Sequence, residues 1–284
     1  MRTALPADAS QSINERLSRA NAEVAARYPG ETDRRQPVHT VYGGAHLFRA
    51  DTAPRLGAPA LRSLEQFAPD AGTLARATGM LDDDDADAVG SPRDANVDES
   101  RGALAETIYT RVVEKLRREP VEDFRIDFED GYGNRPDAEE DGHAESAARE
   151  IARGLKDATL PPFVGIRIKP FNEELRARSV RTLDIFLSTL AEECGGKLPD
   201  NFVVTLPKIT SPSQVEALSD IFDAMEPRLS LPAQSLRFEM MVETTQSIFD
   251  SRGQVALPIL LEAARGRCSA AHFGTYDYTA ACQI

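Results

Sequence analysis

Several apolar runs in this chain of 284 residues end in the side-chain types a reaction would use. Residues 124–128 run into Asp127, Glu129 and Asp130. Residues 163–168 carry Arg167 and lead to Lys169, and residues 202–206 lead to Lys208. A run from 236 to 242 ends at Glu243-Thr244, and one from 270 to 273 leads through Gly274 and Thr275 to Asp277. Charged groups at the ends of apolar strands incur a desolvation cost unless they pair or bind something. Any one of them could be a structural ion pair, but recurrence at the same end of successive units favours a site. Two carboxylates, Glu243 and Asp277, suit Mg²⁺ (or Mn²⁺), which takes oxygen ligands and leaves room for water and substrate. Arg167 has a planar, permanently charged donor fork that suits a substrate carboxylate or a developing enolate oxygen. Metal and arginine together would stabilise an enolate. The chemistry this set implies is aldol- or Claisen-type carbon–carbon cleavage.

The elements that must position these residues read as alternating strands and helices. The spacing predicts an opening helix with Ser10 as its cap, Ile13, Leu17, Ala20 and Val24 on one face, and Gly30 near its end. Residues 38–42 read as a strand closed by Gly43-Gly44, and Leu56, Leu61, Leu64 and Phe67 as a helix. Helical stripes follow at Leu104 to Leu116, Ala144 to Leu155, Val180 to Leu190, Val215 to Met225 and around 257–264. Ser211-Pro212-Ser213-Gln214 supplies an N-cap, a proline at the first helical position and a capping-box glutamine. Six strand-like runs thus alternate with helices, which implies parallel strands joined by right-handed crossovers. The fold class expected is α/β, a TIM (β/α)₈-type barrel in which the strand ends converge on one mouth. Residues 1–36 are expected as a helical N-terminal extension and 37–284 as the barrel, with an acidic insertion at about 81–100. A barrel needs about eight strands, so the expectation includes truncation after the sixth.

Net charge is −13, from 46 acidic and 33 basic residues. That surface repels nucleic-acid phosphates, and no apolar stretch approaches the roughly 20 residues of a membrane span. A cytoplasmic protein without nucleic-acid or membrane partners is the expectation. The run Asp82-Asp83-Asp84-Asp85 lacks the glycine and distal glutamate of an EF-hand and reads as a solvated loop. Cys194, Cys268 and Cys282 form no CxxC pair and read as small buried side chains. His39 or His46 could reach the mouth as an acid/base, although a hydrogen-bonded structural histidine is the stronger reading. His272 reads as packed or supporting, and His143 has no evident role.

At these residues the chain resembles the citrate lyase β-subunit / malyl-CoA lyase / HpcH–HpaI aldolase superfamily, within the phosphoenolpyruvate/pyruvate-binding barrels. The resemblance covers about 123–277. Asp127-Phe128-Glu129-Asp130-Gly131 is similar to its acidic loop, Gly165-Ile166-Arg167-Ile168 to its arginine strand, and Leu206-Pro207-Lys208-Ile209 to its Pro-Lys strand end. Val242-Glu243-Thr244 and Gly274-Thr275-Tyr276-Asp277 are similar to its two metal-carboxylate segments. The resemblance implies that Glu243 and Asp277 bind Mg²⁺, and that Arg167 holds the 2-oxo acid or acyl enolate, with Gly274 and Thr275 at the substrate. It implies that Glu129 and Asp130 order metal-bound water and the arginine, with Lys208 in support. The chain departs from the family in Lys169-Pro170, in the added Tyr132-Gly133 and in the segment 39–48, so coenzyme A thioester specificity is not carried over. The function expected is a Mg²⁺-dependent lyase acting on a small 2-oxo acid or acyl-CoA as a homo-oligomer. The alternatives are phosphoenolpyruvate or phosphoryl chemistry on the same barrel, and a non-catalytic remnant that binds metal and ligand.

Overall fold

Alternation within single strands sets the two faces of the sheet. In the computed structural model, which describes residues 4–30, 33–81 and 95–284, six strands pair in sequence order, all parallel. They are β1 (Val41–Gly44), β2 (Asp123–Asp127), β3 (Phe163–Arg167), β4 (Phe202–Leu206), β5 (Phe238–Val242) and β6 (Cys268–Phe273). Phe124, Ile126, Val164, Ile166, Val204, Leu206, Phe238 and Met240 point to one face and are buried in the main core. Helices α5 (Asp137–Asp157), α6 (Arg176–Glu193), α7 (Pro212–Arg228) and α9 (Leu257–Ala263) add Ile151, Leu183, Phe186, Leu187, Leu218, Phe222 and Leu260 to that core.

The intervening strand residues face the other way, and they are unusually polar. Asp123, Arg125, Asp127, Arg167, Thr205 and Glu239 are all buried there. Parallel sheets normally bury apolar residues on both faces. This inner face is instead rolled around charged side chains. Tyr42 on β1 places its hydroxyl 3.4 Å from Nδ1 of His272 on β6. In a flat sheet, with neighbours ~4.8 Å apart, the first and sixth strands would stand ~24 Å from each other. The sheet is therefore strongly curled, although no backbone pairing joins β6 to β1 among the described residues. Gly165 permits a tight point in the curl, because a Cβ there would collide with the Val203 carbonyl and sit 3.3 Å from Arg125 Cδ.

Residues 1–36 and 37–284 form two compact units. The first holds α1 (Ala7–Arg27), which starts at an N-cap of Pro6. Ser10 is thus inside the helix rather than its cap, with its N–H donating to the Pro6 carbonyl at 2.9 Å. The Gly43-Gly44 pair, expected to close β1, belongs to the strand itself. A side chain at Gly44 would meet the Gly131 carbonyl at 2.5 Å, so the pair lets the acidic loop after β2 approach closely. Helix α2 (Thr52–Phe67) forms as expected: Leu61 and Leu64 are half-buried on the face that also buries Ala53 and Gly57, whereas Leu56 and Phe67 are exposed. A short helix α3 (Ala71–Ala77), capped by Asp70, had no clear apolar signal. The aspartate run 82–85 lies outside the described residues, and the last part of the acidic insertion belongs to α4 (Ala95–Arg118). At the start of α7, Gln214 Oε1 accepts from the N–H of the N-cap Ser211 at 3.4 Å, as its capping role requires, and from the preceding Thr210 N–H at 2.8 Å. No helix among the described residues is long and apolar enough to cross a membrane.

Candidate active site

Because the strands are parallel, their C-terminal ends lie on one side of the sheet, and the charged residues of the acidic loop, β3, β4 and β5 gather there. Arg167 closes β3 and is buried. Asp127 pins it edge-on: Nε donates to Oδ1 at 2.8 Å and Nη2 to Oδ2 at 2.6 Å. Asp127 also accepts from the Glu129 and Gly131 N–H groups at 2.9 and 2.7 Å, so one carboxylate fixes both the arginine and the acidic loop. The resemblance pointed to Glu129 and Asp130 for ordering the arginine. Glu129 does approach it, Oε2 lying 3.3 Å from Nη1, but Asp127 makes the two-pronged bond and Asp130 pairs with Lys208 instead. The remaining Nη1 faces Met241 Sδ at 3.7 Å, and the guanidinium lies over the Tyr42 ring at 4.6 Å.

Lys208 follows β4 with a left-handed backbone, φ +49°. That conformation costs a non-glycine residue roughly 1–2 kcal/mol. Here it aims the Lys208 N–H at Glu243 Oε1, 2.7 Å away. Its ammonium meanwhile contacts Glu129, Asp130 at 2.9 Å and Asp277 at 3.4 Å. Burial alone would lower the Lys208 pKa, but bonds to Glu129 and Asp130 outweigh it and hold the side chain protonated. The Asp130 carboxyl is held below the usual range, the pull of Lys208 exceeding the opposing effect of burial.

Glu243 sits just past β5 and is 1% exposed. Its Oε2 has no hydrogen-bond partner, and burial pushes its pKa up, with Asp277 adding to the rise. Gly274, at the cap of α10 (Thr275–Cys282), is glycine for a reason: a Cβ would sit 2.6 Å from Glu243 Cβ and collide with its carboxylate. Thr275 is exposed and lies outside the cavity described next. That cavity, about 380 Å³, is lined by Pro170, Lys208, Thr210, Glu243 and Asp277 and closed on one side by Ala280 and Ala281.

The charges there do not balance. Among the described residues, ion pairs join Asp127, Glu129, Asp130 and Asp277 to Arg167 and Lys208, which leaves five carboxylates, Glu243 included, against two cations. Among the described residues no group of three or more His, Cys, Asp or Glu side chains forms a metal cage by itself. An ion at this site would be one held by the two carboxylates Glu243 and Asp277, with water and substrate filling the other positions, as Mg²⁺ is usually held. The unpartnered Glu243 oxygen and the excess negative charge fit such an ion.

Glu129 gives the site a measurable pH signature. Burial raises its pKa from 4.5 to about 7, with Lys208 and Arg167 only partly opposing. The folded value exceeds the unfolded one, so the folded state holds this proton more tightly. The stability it contributes is full below about 4.5 and is lost as pH rises through about 7. In EDTA, wild type is therefore expected to lose stability relative to Glu129→Gln across that window, at no more than ~1.4 kcal/mol per pH unit. Urea melts of both proteins at several pH values check this. Parallel curves would mean that Glu129 titrates as it does in the unfolded chain.

The histidines separate clearly. His39 Nε2 lies 3.4 Å from the Glu122 N–H, at the N-terminal end of β2 and away from the site. His46 follows β1 and packs with its ring centroid 5.6 Å from that of Tyr132 and 6.0 Å from that of His143. Tyr132 and His143 are themselves linked, hydroxyl to Nδ1, at 2.8 Å. Lys169 supports the same loop, donating to the Phe128 carbonyl at 2.6 Å and pairing with Glu140 at 2.9 Å. Cys194, Cys268 and Cys282 are free thiols, each half-buried.

Three inner-face residues had not been singled out for chemistry: Tyr42, Arg125 and Glu239. His272, read as packed or supporting, joins them, its Nε2 lying 2.9 Å from Glu239 Oε2. A signal was present, since Phe-Arg-Ile-Asp-Phe puts charges at alternate positions, and Phe-Glu-Met-Met-Val puts one at the second position, of strands that ought to be apolar throughout.

No characterised protein matches the chain in sequence. One family model does match, over residues 17–284, and it is described as a domain of unknown function (DUF6986). That match covers nearly the whole chain, rolled sheet and strand-end cluster included, and the protein accordingly belongs to the DUF6986 family.

Proposed function

We propose that this protein is a divalent-metal-dependent carbon–carbon lyase, working on a (β/α)-barrel-like sheet through the enolate of a small 2-oxo acid. The observation that carries this reading is Glu243, a buried carboxylate with an unpartnered oxygen, in one cavity with Asp277 and beside the pinned Arg167 cluster. Glu243 and Asp277 would hold Mg²⁺ or Mn²⁺. The ion, when bound, supplies Lewis-acid polarisation of the substrate carbonyl. Arg167 cannot rotate away, because Asp127 holds two of its nitrogens, and Nη1, now 3.3 Å from Glu129 Oε2, would be the nitrogen to meet an anionic substrate oxygen. Lys208 keeps Glu129 and Asp130 in place and adds positive charge at the cavity wall. A cavity of about 380 Å³ accommodates a small oxo acid with an aldehyde-sized partner.

The test is a thermal melt with Mg²⁺, with oxalate, and with both, oxalate being a stable mimic of the pyruvate enolate. Each ligand at about a hundred times its Kd stabilises the native state by roughly 2.7 kcal/mol. The midpoint is expected to rise most when both are present. No rise with any combination would sink the reading. Metal-dependent exchange of the pyruvate methyl protons with D₂O, followed by NMR, is the corresponding chemical assay.

A further inference from the structure

Enolate chemistry requires a group that takes and returns a proton, and neither the two metal-ligand candidates nor Arg167 supplies one. The inner face of the sheet holds a connected set that does. Glu239 on β5 is anchored by Arg125, whose Nη2 lies 2.9 Å from both carboxylate oxygens, and by Thr205 at 3.4 Å. Arg125 is in turn paired with Asp123, which accepts from Thr40 at 3.0 Å. From this fixed position Glu239 Oε2 meets His272 Nε2 at 2.9 Å. His272 Nδ1 then faces the Tyr42 hydroxyl at 3.4 Å. The Tyr42 ring lies under the Arg167 guanidinium at 4.6 Å, which brings the chain of contacts to the edge of the candidate site.

We propose that Tyr42 is the catalytic acid/base of this protein, with His272 and Glu239 as the residues that position and support it. A carboxylate that orients an imidazole, which in turn contacts a hydroxyl, is the same logic as a nucleophile–base–orienter triad. The hydroxyl here moves protons instead of attacking carbon. The substrate comes from the enolate reading above, whereas the relay rests on its own geometry.

The steps balance as follows. In cleavage, Tyr42 Oη takes the proton of the substrate hydroxyl while passing its own to His272 Nδ1. The carbon–carbon bond breaks, its electron pair goes to the 2-oxo acid enolate, and an aldehyde departs. The imidazolium is held by Glu239. His272 then returns its proton to Tyr42, which gives its own to the enolate carbon and releases the 2-oxo acid. No oxidant or further co-reactant is consumed. The charged groups acting on Tyr42 are Arg125, Arg167, Glu239 and Asp123. Burial outweighs the two arginines and pushes the phenol up to about 12, so it is a proton donor at rest. Glu239 stays ionised, because His272 and Arg125 overcome the cost of its burial.

The experiment has two arms, each on the full chain. Nitrogen NMR of ¹⁵N-histidine-labelled protein is expected to show His272 as the Nε2–H tautomer, assigned by its loss in His272→Gln. A predominant Nδ1–H tautomer would overturn the relay. The second arm measures Mg²⁺-dependent exchange of pyruvate methyl protons in D₂O. Tyr42→Phe is expected to lower the saturated rate about a hundredfold or more, while the thermal shift given by Mg²⁺ plus oxalate stays as in wild type. His272→Gln is expected to behave likewise. A full exchange rate in Tyr42→Phe would overturn the proposal. If wild type itself fails to exchange, the lyase reading falls, and the tautomer arm still decides whether the relay exists.

Discussion

Glu243→Gln is expected to abolish metal-dependent pyruvate exchange, by about a thousandfold or more, while the protein stays folded. A thousandfold loss is about 4 kcal/mol of transition-state stabilisation, the scale of losing a Lewis acid outright. The substitution is nearly isosteric, and an amide oxygen can still accept the Lys208 N–H that now bonds Glu243 Oε1 at 2.7 Å. Glu243 Oε2 has no partner, and burial already disfavours its charge. In EDTA the variant should therefore melt at or above the wild-type temperature. The rise produced by Mg²⁺ plus oxalate should vanish. A variant that keeps both exchange and thermal shift would remove Glu243 from the metal site, and with it the main support for a metal-dependent lyase.

The second large effect is expected at Arg167. Arg167→Lys keeps one positive charge but loses the planar fork that engages Asp127 through two nitrogens. It also removes the guanidinium face resting on Tyr42. Exchange should fall by about a hundredfold or more, on the scale of losing one oxyanion donor. Arg167→Met should be worse for stability, because it strands Asp127 as a buried unpaired charge, at a cost of about 3–5 kcal/mol. Asp127 is 0% exposed, so water cannot readily replace the arginine. Urea melts and exchange assays of both variants separate the two effects. Full exchange in Arg167→Lys would show that only the charge is needed, and a Met variant as stable as wild type would show that Asp127 finds another partner.

Much of the fold was legible because its signals are local. Strand runs such as residues 202–206 and helical stripes such as Leu183 and Leu187 are read within a few residues, and the structure has them where expected. Boundaries and faces were less legible. Ser10 resembles a cap in isolation, but the chain turns into helix at Pro6. The leucine spacing of α2 named the helix correctly, but of its four apolar residues only Leu61 and Leu64 lie on the inward face. Gly57 packs where Pro120 would lie 2.5 Å from an added Cβ, a close approach that depends on a residue 63 positions away.

The candidate site divides in the same way. Composition and spacing alone determined that charges cluster at the ends of successive parallel strands, and that Glu243, Asp277, Arg167, Lys208, Glu129 and Asp130 are among them. Only the tertiary structure decided that Asp127 holds Arg167, that the Lys208 ammonium sits among Glu129, Asp130 and Asp277, and that Tyr42 meets His272. The physical reason is curvature. A strand's alternation says which residues share a face, but the partners across a rolled sheet depend on register and on how far the sheet bends. Here the sheet bends enough to bring the Tyr42 side chain of β1 and the His272 side chain of β6 within hydrogen-bond reach, and no single strand carries that information.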